Sequence, residues 1–380
     1  HPSDRERTLA VERIKEKLVA DPRYRAGIER CLLRPTVLVA LTNVCNLSCA
    51  YCSTRNVRPT RCDMDTALAK SVVDQALENG WPLQFGQTYE PFLHPRVEEI
   101  IAHVHDKGAV FQSATNGLAI GRDAYDLPMN LLVSYSADED DYAYRGAKPS
   151  FEAYQKRLLG FFRHRIAGKV PGVISVQIAD YSIFRGALAY GESIGDAAGM
   201  WRKARLLAQR LDLLSSLDAL DPEAAMARIA DRDPLPLFDA DGCRVQVLPT
   251  KIMPNAYDAF MALPAGTKPA GYCDSCWTML SLQADGGAAL CCCDPAARAV
   301  AGKITAETDL AAFWRGPEMT RVRERFEAFT PLHAFCTRCL SQVSEHIKPL
   351  LTMVEPDLVA TILREYGVTE DLPWFAFPKG

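Results

Sequence analysis

Short apolar runs rich in β-branched side chains alternate, along the first half of the chain, with stretches whose apolar positions recur at helical spacing. Thr36–Leu41 reads as a first strand, preceded by a charged helix over residues 4–20 that ends near Pro22. A helix is predicted at about 64–79, then a strand at Leu83–Gly86, a helix at Val97–Lys107 and strands at Ala109–Ala114 and Asn130–Tyr135. A helix at Phe151–His164 and a strand at Val173–Ile178 follow. Strands alternating with helices imply a parallel sheet with helices outside it. When such a sheet closes partly into a barrel, functional groups gather at the C-terminal strand ends. Residues 182–231 are rich in Ala, Leu and Arg and read as helices; Asp231–Pro236 breaks that pattern, and Arg244–Leu248 supplies a further strand that completes the barrel. After Pro264-Ala265-Gly266 the chain turns to short strands, Gly pairs and cysteines. The expected organisation is an N-terminal helical segment (1–34), a barrel (35–264) with a helical insert at about 182–240, a small cysteine-bearing domain (265–345) and a tail (346–380).

Composition narrows the class. The chain has 380 residues, 48% of them hydrophobic, enough for one large core or a large domain with a smaller one. With 43 basic against 47 acidic side chains the formal charge is -4, which does not suit a nucleic-acid partner. No apolar run approaches the roughly 18 residues of a membrane helix. The segment from His1 to Lys17 lacks the apolar stretch of a signal peptide. A cytoplasmic protein with neither nucleic-acid nor membrane partners is expected. Thirteen cysteines are too many for ordinary usage. Disulfides explain them poorly in a reducing compartment, so thiolate ligation of metal is the better account. They also cluster: three lie within 45–52 and eight between 243 and 339, with none in 63–242.

The first group is Cys45-x3-Cys49-x2-Cys52, directly after the first strand. Three thiolates can each hold one iron of a four-iron cubane, which leaves the fourth iron open. An open iron can chelate the amino and carboxylate groups of S-adenosylmethionine (SAM) and pass an electron to its sulfonium. The alternative is a zinc site, which wants a fourth ligand nearby and more often uses Cys-x2-Cys pairs. The spacing, its place after the first strand and the aromatic Tyr51 before the third cysteine resemble the radical SAM superfamily. That resemblance implies an α/β fold: a partial (βα)6 radical SAM barrel followed by a small Twitch-like auxiliary-cluster domain. It also implies SAM contacts in sequence order. Glu90-Pro91 resembles the Gly-Gly-Glu-Pro segment of the second strand, with Thr88-Tyr89 standing where two glycines are usual. Thr115-Asn116-Gly117 resembles the turn after the third strand. Ser134, and Arg145 within Tyr144-Arg145-Gly146, resemble the fourth-strand serine and the arginine that meets the SAM carboxylate. A guanidinium suits a carboxylate because it donates in bidentate fashion. Gln177 on the fifth strand is a weaker candidate, since a satisfied core glutamine would look the same.

The second group comprises Cys273-x2-Cys276-Trp277, Asp285-Gly286, Cys291-Cys292-Cys293, Trp314-Arg315-Gly316 and Cys336-x2-Cys339. It resembles the SPASM and Twitch extensions of the same superfamily. The shorter, Twitch-like form implies one further [4Fe–4S] cluster with four ligands, here Cys273, Cys291, Cys336 and Cys339. Cys276 and Cys292 remain alternatives to Cys273 and Cys291. A zinc ribbon is the competing reading, because two Cys-x2-Cys pairs are also a zinc pattern.

Together these features imply two [4Fe–4S] clusters and SAM as cofactors, with an external reductant of the flavodoxin or ferredoxin type. Only 44 residues precede Cys45, too few for a separate leader-binding domain ahead of it. The expected substrate is therefore a small polar molecule of sugar or aminocyclitol type, undergoing dehydrogenation, epimerisation or dehydration. A peptide- or protein-modifying maturase is the alternative, and a non-catalytic zinc module is the alternative from another class.

Overall fold

Residues Thr36–Val39 form β1, three of whose four side chains are buried, as suits a strand covered on both faces. The computed structural model describes residues 13–368 other than Lys15, Tyr51, Ser53, 55–59, Gln87, 180–196, Arg232, 251–272, Asp274, Cys292, Cys293, Pro295, Phe329, Phe335 and 338–355. The chain divides into two compact units. One comprises His1–Leu38, Ser71–Leu83 and Ala256–Gly380, the other Val39–Lys70 and Gln84–Asn255. The boundary expected near 265 falls outside the described residues.

The second unit carries the parallel sheet. Strands β2 (Leu83–Phe85), β3 (Phe111–Thr115), β4 (Met129–Ser134), β5 (Gly172–Ala179) and β7 (Cys243–Thr250) lie side by side and pair in parallel. Burial alternates along β4, so one face packs on the core. Phe85 and Phe111 stack at 4.6 Å between ring centroids and tie β2 to β3. Helix Phe151–Gly168 follows β4. Ser150 caps it, its hydroxyl accepting from the Ala153 N–H at 3.2 Å, and Tyr154, Leu158, Phe161 and Phe162 are buried along it. Arg165 on this helix is fully buried and donates to the carbonyls of Tyr125, Leu127 and Pro171. It thereby satisfies backbone acceptors at the bottom of the sheet.

The sheet stays open, as a partial barrel. The last of these parallel strands is β7, paired with β5 from Gly172↔Cys243 to Ala179↔Thr250. Beyond it lies β6 (Leu235–Ala240), antiparallel to β7. The helical pattern ends where expected, at Asp231, and the chain then enters β6, a strand the sequence reading did not place. Pro236 cannot donate to a ladder, but β6 is an edge strand whose register shifts between Pro236 and Phe238, and an edge tolerates both. Among the described residues the insert forms helices Ala197–Arg210, Leu214–Asp218 and Pro222–Asp231.

In the first unit, the first helix ends at Ala20, as expected near Pro22, and a second helix that the sequence reading did not place runs over Pro22–Leu33. Proline suits the first helical position, where its missing N–H is an orphan in any case. Asp21 caps the helix by accepting from the Arg23 N–H at 2.8 Å. The last carbonyls are satisfied by indoles: Trp314 Nε1 donates to Leu32 O at 2.8 Å and Trp81 Nε1 to Leu33 O at 3.1 Å. Strands β8 (Met279–Leu282), β9 (Gly287–Ala289) and β10 (Val300–Lys303) form an antiparallel meander. The turn from β8 to β9 needs Gly286, whose φ of 86° lies in the left-handed region. Helices Leu310–Arg315 and Pro317–Glu327 follow. No described helix is long and apolar enough to cross a membrane.

Candidate functional site

The cysteine loop leaves the sheet after the buried residues Ala40, Leu41 and Thr42. Its base is closed by protein bonds. Met64 N–H donates to Leu41 O at 2.8 Å, Asn43 N–H to Cys62 O at 3.0 Å and Cys62 N–H to Asn43 Oδ1 at 2.8 Å. The Thr42 hydroxyl donates to Asp63 Oδ1 at 2.6 Å. The described part of the loop then brings three thiols into mutual electrostatic reach. Cys45 is exposed as a residue, yet its thiol is desolvated by the protein around it and is pushed up to about 12; Glu90, Cys49 and Cys52 push in the same direction. Among the described residues no three His, Cys, Asp or Glu side chains are gathered tightly enough to hold a single metal ion. The thiolates of a cubane each bind a different iron and stand further apart.

Glu90 is fully buried in the segment after β2, where it caps the short 3-10 helix Pro91–Leu93. Its N–H donates to Val44 O at 3.0 Å, which fixes it to the start of the cysteine loop. Its carboxylate accepts from the Thr115 hydroxyl at 2.7 Å, the Phe92 N–H at 3.2 Å and the Asn116 N–H at 2.8 Å. Burial raises this carboxyl to about 7 against the pull of those three donors. Tyr89, where the resemblance leads one to expect glycine, has φ 64°. The backbone shape that glycine gives freely is kept here at the cost of strain, about 1 kcal/mol.

Asn116 turns back on the cysteine loop. Its Nδ2 donates to Asn46 Oδ1 at 2.7 Å and to the Cys45 sulfur at 3.8 Å. Asn46 lies inside the cysteine motif but escapes sequence reasoning, because nothing in the spacing marks it. Ser134 and Gln177 are partners across the β4–β5 pair, with the Ser134 hydroxyl donating to Gln177 Oε1 at 3.1 Å. Arg145 is 1% exposed, and its Nε donates to Ser136 Oγ at 2.6 Å. The backbone beside it holds the cysteine loop: Ala50 N–H donates to Tyr144 O at 2.7 Å and Ser48 N–H to Arg145 O at 3.1 Å. Gly146, at φ 55°, permits that approach, since a Cβ there would meet Ser48 O at 2.6 Å. Of the residues expected to form the first site, Tyr51 lies outside the described residues. Cys45, Cys49, Cys52, Glu90, Thr115, Asn116 and Arg145 are brought into one hydrogen-bonded and electrostatic network.

In the other unit, Cys273 and Cys291 are half-buried, and Cys276 and Cys336 are buried. Burial pushes the Cys336 thiol up to about 12, with Cys273 and Asp294 adding to the rise. Cys336 and Cys273 are thus neighbours. Cys276 instead faces the backbone, its Sγ donating to Cys273 O at 3.8 Å, and Arg323 Nε donates to the Cys276 carbonyl at 2.9 Å. Cys339 and Cys292 lie outside the described residues.

Known proteins share these features in part. Residues 273–340 match the SPASM iron–sulfur cluster-binding domain. PqqA peptide cyclase of Xanthomonas oryzae pv. oryzae is 27% identical over 207 residues, covering 49% of this chain and 55% of the relative. PqqA peptide cyclase of Xanthomonas campestris pv. campestris is 35% identical over 92 residues, 24% of each chain. The chain spans about half the length of the curated relatives it matches. In fold it is similar to Streptococcus suis SuiB bound to precursor peptide SuiA, with a TM-score of 0.50 and 12% identity over 86% of this chain and 76% of that one. The SPASM match over 273–340, the similarity of about half the chain to PqqA peptide cyclase and the cysteine loop at the head of an open parallel sheet converge: the chain carries a match to an iron–sulfur cluster-binding domain and resembles the SPASM-bearing enzymes of the radical SAM superfamily.

Proposed function

We propose that this chain is a radical SAM enzyme that modifies a peptide. The observation that carries the reading is the similarity over 207 residues to proteins named PqqA peptide cyclase, joined to the SPASM match over 273–340. The small sugar or aminocyclitol expected from the sequence has less support, since the relatives that match are named for a peptide. Cys45, Cys49 and Cys52 would hold the SAM-binding cluster. Cys273, Cys291, Cys336 and Cys339 would hold the auxiliary one, with Cys273 favoured over Cys276 by its nearness to Cys336. Held by these residues, SAM and the first cluster would supply the chemistry of hydrogen-atom abstraction from the substrate.

The chain's own residues prepare that chemistry. Asn116 donates to the Cys45 sulfur and orients the loop through Asn46. Glu90 anchors the turn after β3 by taking both the Thr115 hydroxyl and the Asn116 N–H. Arg145 would offer its guanidinium to the SAM carboxylate from a position fixed by Ser136. Reduction would come from an external flavodoxin- or ferredoxin-type donor. The test is turnover under reducing, anaerobic conditions. A short peptide encoded beside the gene should stimulate 5'-deoxyadenosine formation and itself gain a cross-link or lose hydrogen. Stimulation by a sugar or cyclitol, with no response to the peptide, overturns the peptide reading and leaves the family assignment standing.

A further inference from the structure

Helix Ala197–Arg210 belongs to the insert that interrupts the barrel between β5 and β7. Its apolar face, with Met200, Ala204, Leu207 and Ala208 buried, is enough to hold it on the domain. Two of its charged residues do something that apolar packing does not require. Lys203 is 5% exposed and lies on the same buried face. A buried ammonium is unfavourable unless it is paired and hydrogen-bonded, and a leucine would pack there at less cost. Its partner is Asp141, equally buried, at 2.8 Å to Oδ1 and 2.7 Å to Oδ2. Arg210, at the end of the helix, donates through Nη1 to Ala137 O at 2.6 Å, to the Tyr135 hydroxyl at 3.2 Å and to Gln155 Oε1 at 3.3 Å.

Both contacts lead to the same place. From Asp141 the path runs through a short helix, Glu139–Ala143, whose carbonyls are taken up by the turn that follows. Tyr144 N–H donates to Asp141 O at 3.2 Å and Arg145 N–H to Tyr142 O at 3.0 Å. From Arg210 the path runs through Gln155, whose Nε2 donates to Ser136 O at 2.8 Å, and Ser136 Oγ accepts from Arg145 Nε at 2.6 Å. The Tyr154 hydroxyl closes this branch by accepting from the Ser136 N–H at 2.8 Å. The carbonyls of Tyr144 and Arg145 then hold Ala50 and Ser48 of the cysteine loop. Two charged side chains of one helix, acting on separate partners, thus converge on the side chain and the backbone of a single residue, Arg145.

We infer that helix Ala197–Arg210 braces the SAM site, with Lys203 and Arg210 as positioning residues that set Arg145 and, through its carbonyl, the cysteine loop. The inference rests on the reading of Cys45, Cys49, Cys52 and Arg145 as the SAM-binding side of the molecule. The brace explains why charge is buried at this spot: an ion pair and a guanidinium nitrogen shared by three acceptors fix direction, where leucines would fix only proximity. It also gives the insert a task.

The full chain, reconstituted anaerobically, tests this with SAM itself as the probe. Lys203→Met and Arg210→Gln should load iron as the parent chain does. They should bind SAM about 2- to 30-fold more weakly, the range over which residues in such networks modulate coupling. The change that SAM induces in the electron paramagnetic resonance of the reduced first cluster should shrink or alter, a response that global stability alone does not move. Lys203→Arg, which keeps the charge, should restore much of the affinity. Should Lys203→Met fail to fold because Asp141 is left buried and unpaired, the neutral pair Asp141→Asn/Lys203→Met decides: folded, iron-loaded protein with weakened SAM binding supports the brace. Iron-loaded variants with the parent's SAM affinity and resonance change overturn it. A parent chain that itself binds no SAM overturns instead the reading on which the inference rests.

Discussion

Asn116 serves the site through one carboxamide, and its removal should be read in the cluster rather than in the fold. Hydrogen bonds to cluster sulfurs help set the reduction potential, so Asn116→Ala is expected to lower the midpoint potential of the first cluster with iron content retained. A spectroscopic redox titration checks this. Gly146→Ala should act on loading instead. The added Cβ would press on Ser48 O in a backbone region that already disfavours side chains, so iron at the first cluster should fall while the auxiliary cluster keeps its own. Asp21 gives the pH-dependent case. Hydrogen bonding to the Arg23 side chain is the largest influence holding its carboxyl down at about 2, from an ordinary value of 3.8. A carboxyl depressed in the folded state contributes stability above its unfolded value and loses that contribution as pH falls through the folded one. Asp21→Asn should therefore flatten the acid side of the unfolding curve between about pH 4 and pH 2. Asp21→Ala should cost about 1 kcal/mol at neutral pH through the lost cap, measured by denaturant unfolding.

At the scale of elements, Arg165 joins helix Phe151–Gly168 to the chain entering β4 and β5. Arg165→Met would keep the volume of the stem but strip several carbonyls of their donor. It should destabilise the barrel unit by about 3 kcal/mol, seen as a lower denaturant midpoint with an unchanged slope. The parallel strands and their helices were legible because each is a short β-branched run or a helical stripe of adequate length. Two elements were not, and proline is the reason in both. Pro22 looks like a helix stop, yet it follows a capping aspartate and begins the next helix. Pro236 hides β6, which lies at an edge with a register shift, where a missing N–H does no harm. The position of the proline within its element decides, and that position is known only once the neighbouring strand is placed.

For the molecule as a whole, the expected cofactor load is two cubanes, so the reconstituted chain should carry about eight irons. Replacing Cys45, Cys49 and Cys52 together by alanine should remove about half of that, by iron assay, and abolish the spectral response to SAM. Stoichiometric zinc with little iron would end the two-cluster reading. The thiols, Glu90, Asn116 and Arg145 could be picked out in advance because their order along the chain carries the signal. Ser136, Gln155, Lys203 and Arg210 could not. Each is an ordinary polar residue on its own element, and its meaning arises only where β4, its following turn and the insert meet.

The closed base of the cysteine loop bears on when the metal arrives. Asn43, Cys62 and Met64 donate their hydrogen bonds to protein acceptors alone, so the neck of the loop needs no iron to form. Maturation would then proceed on a chain whose neck is already folded, with a carrier delivering iron and sulfide to Cys45, Cys49 and Cys52. In the iron-free protein the amides of those three residues should exchange slowly with deuterium, and loading should add protection only between them.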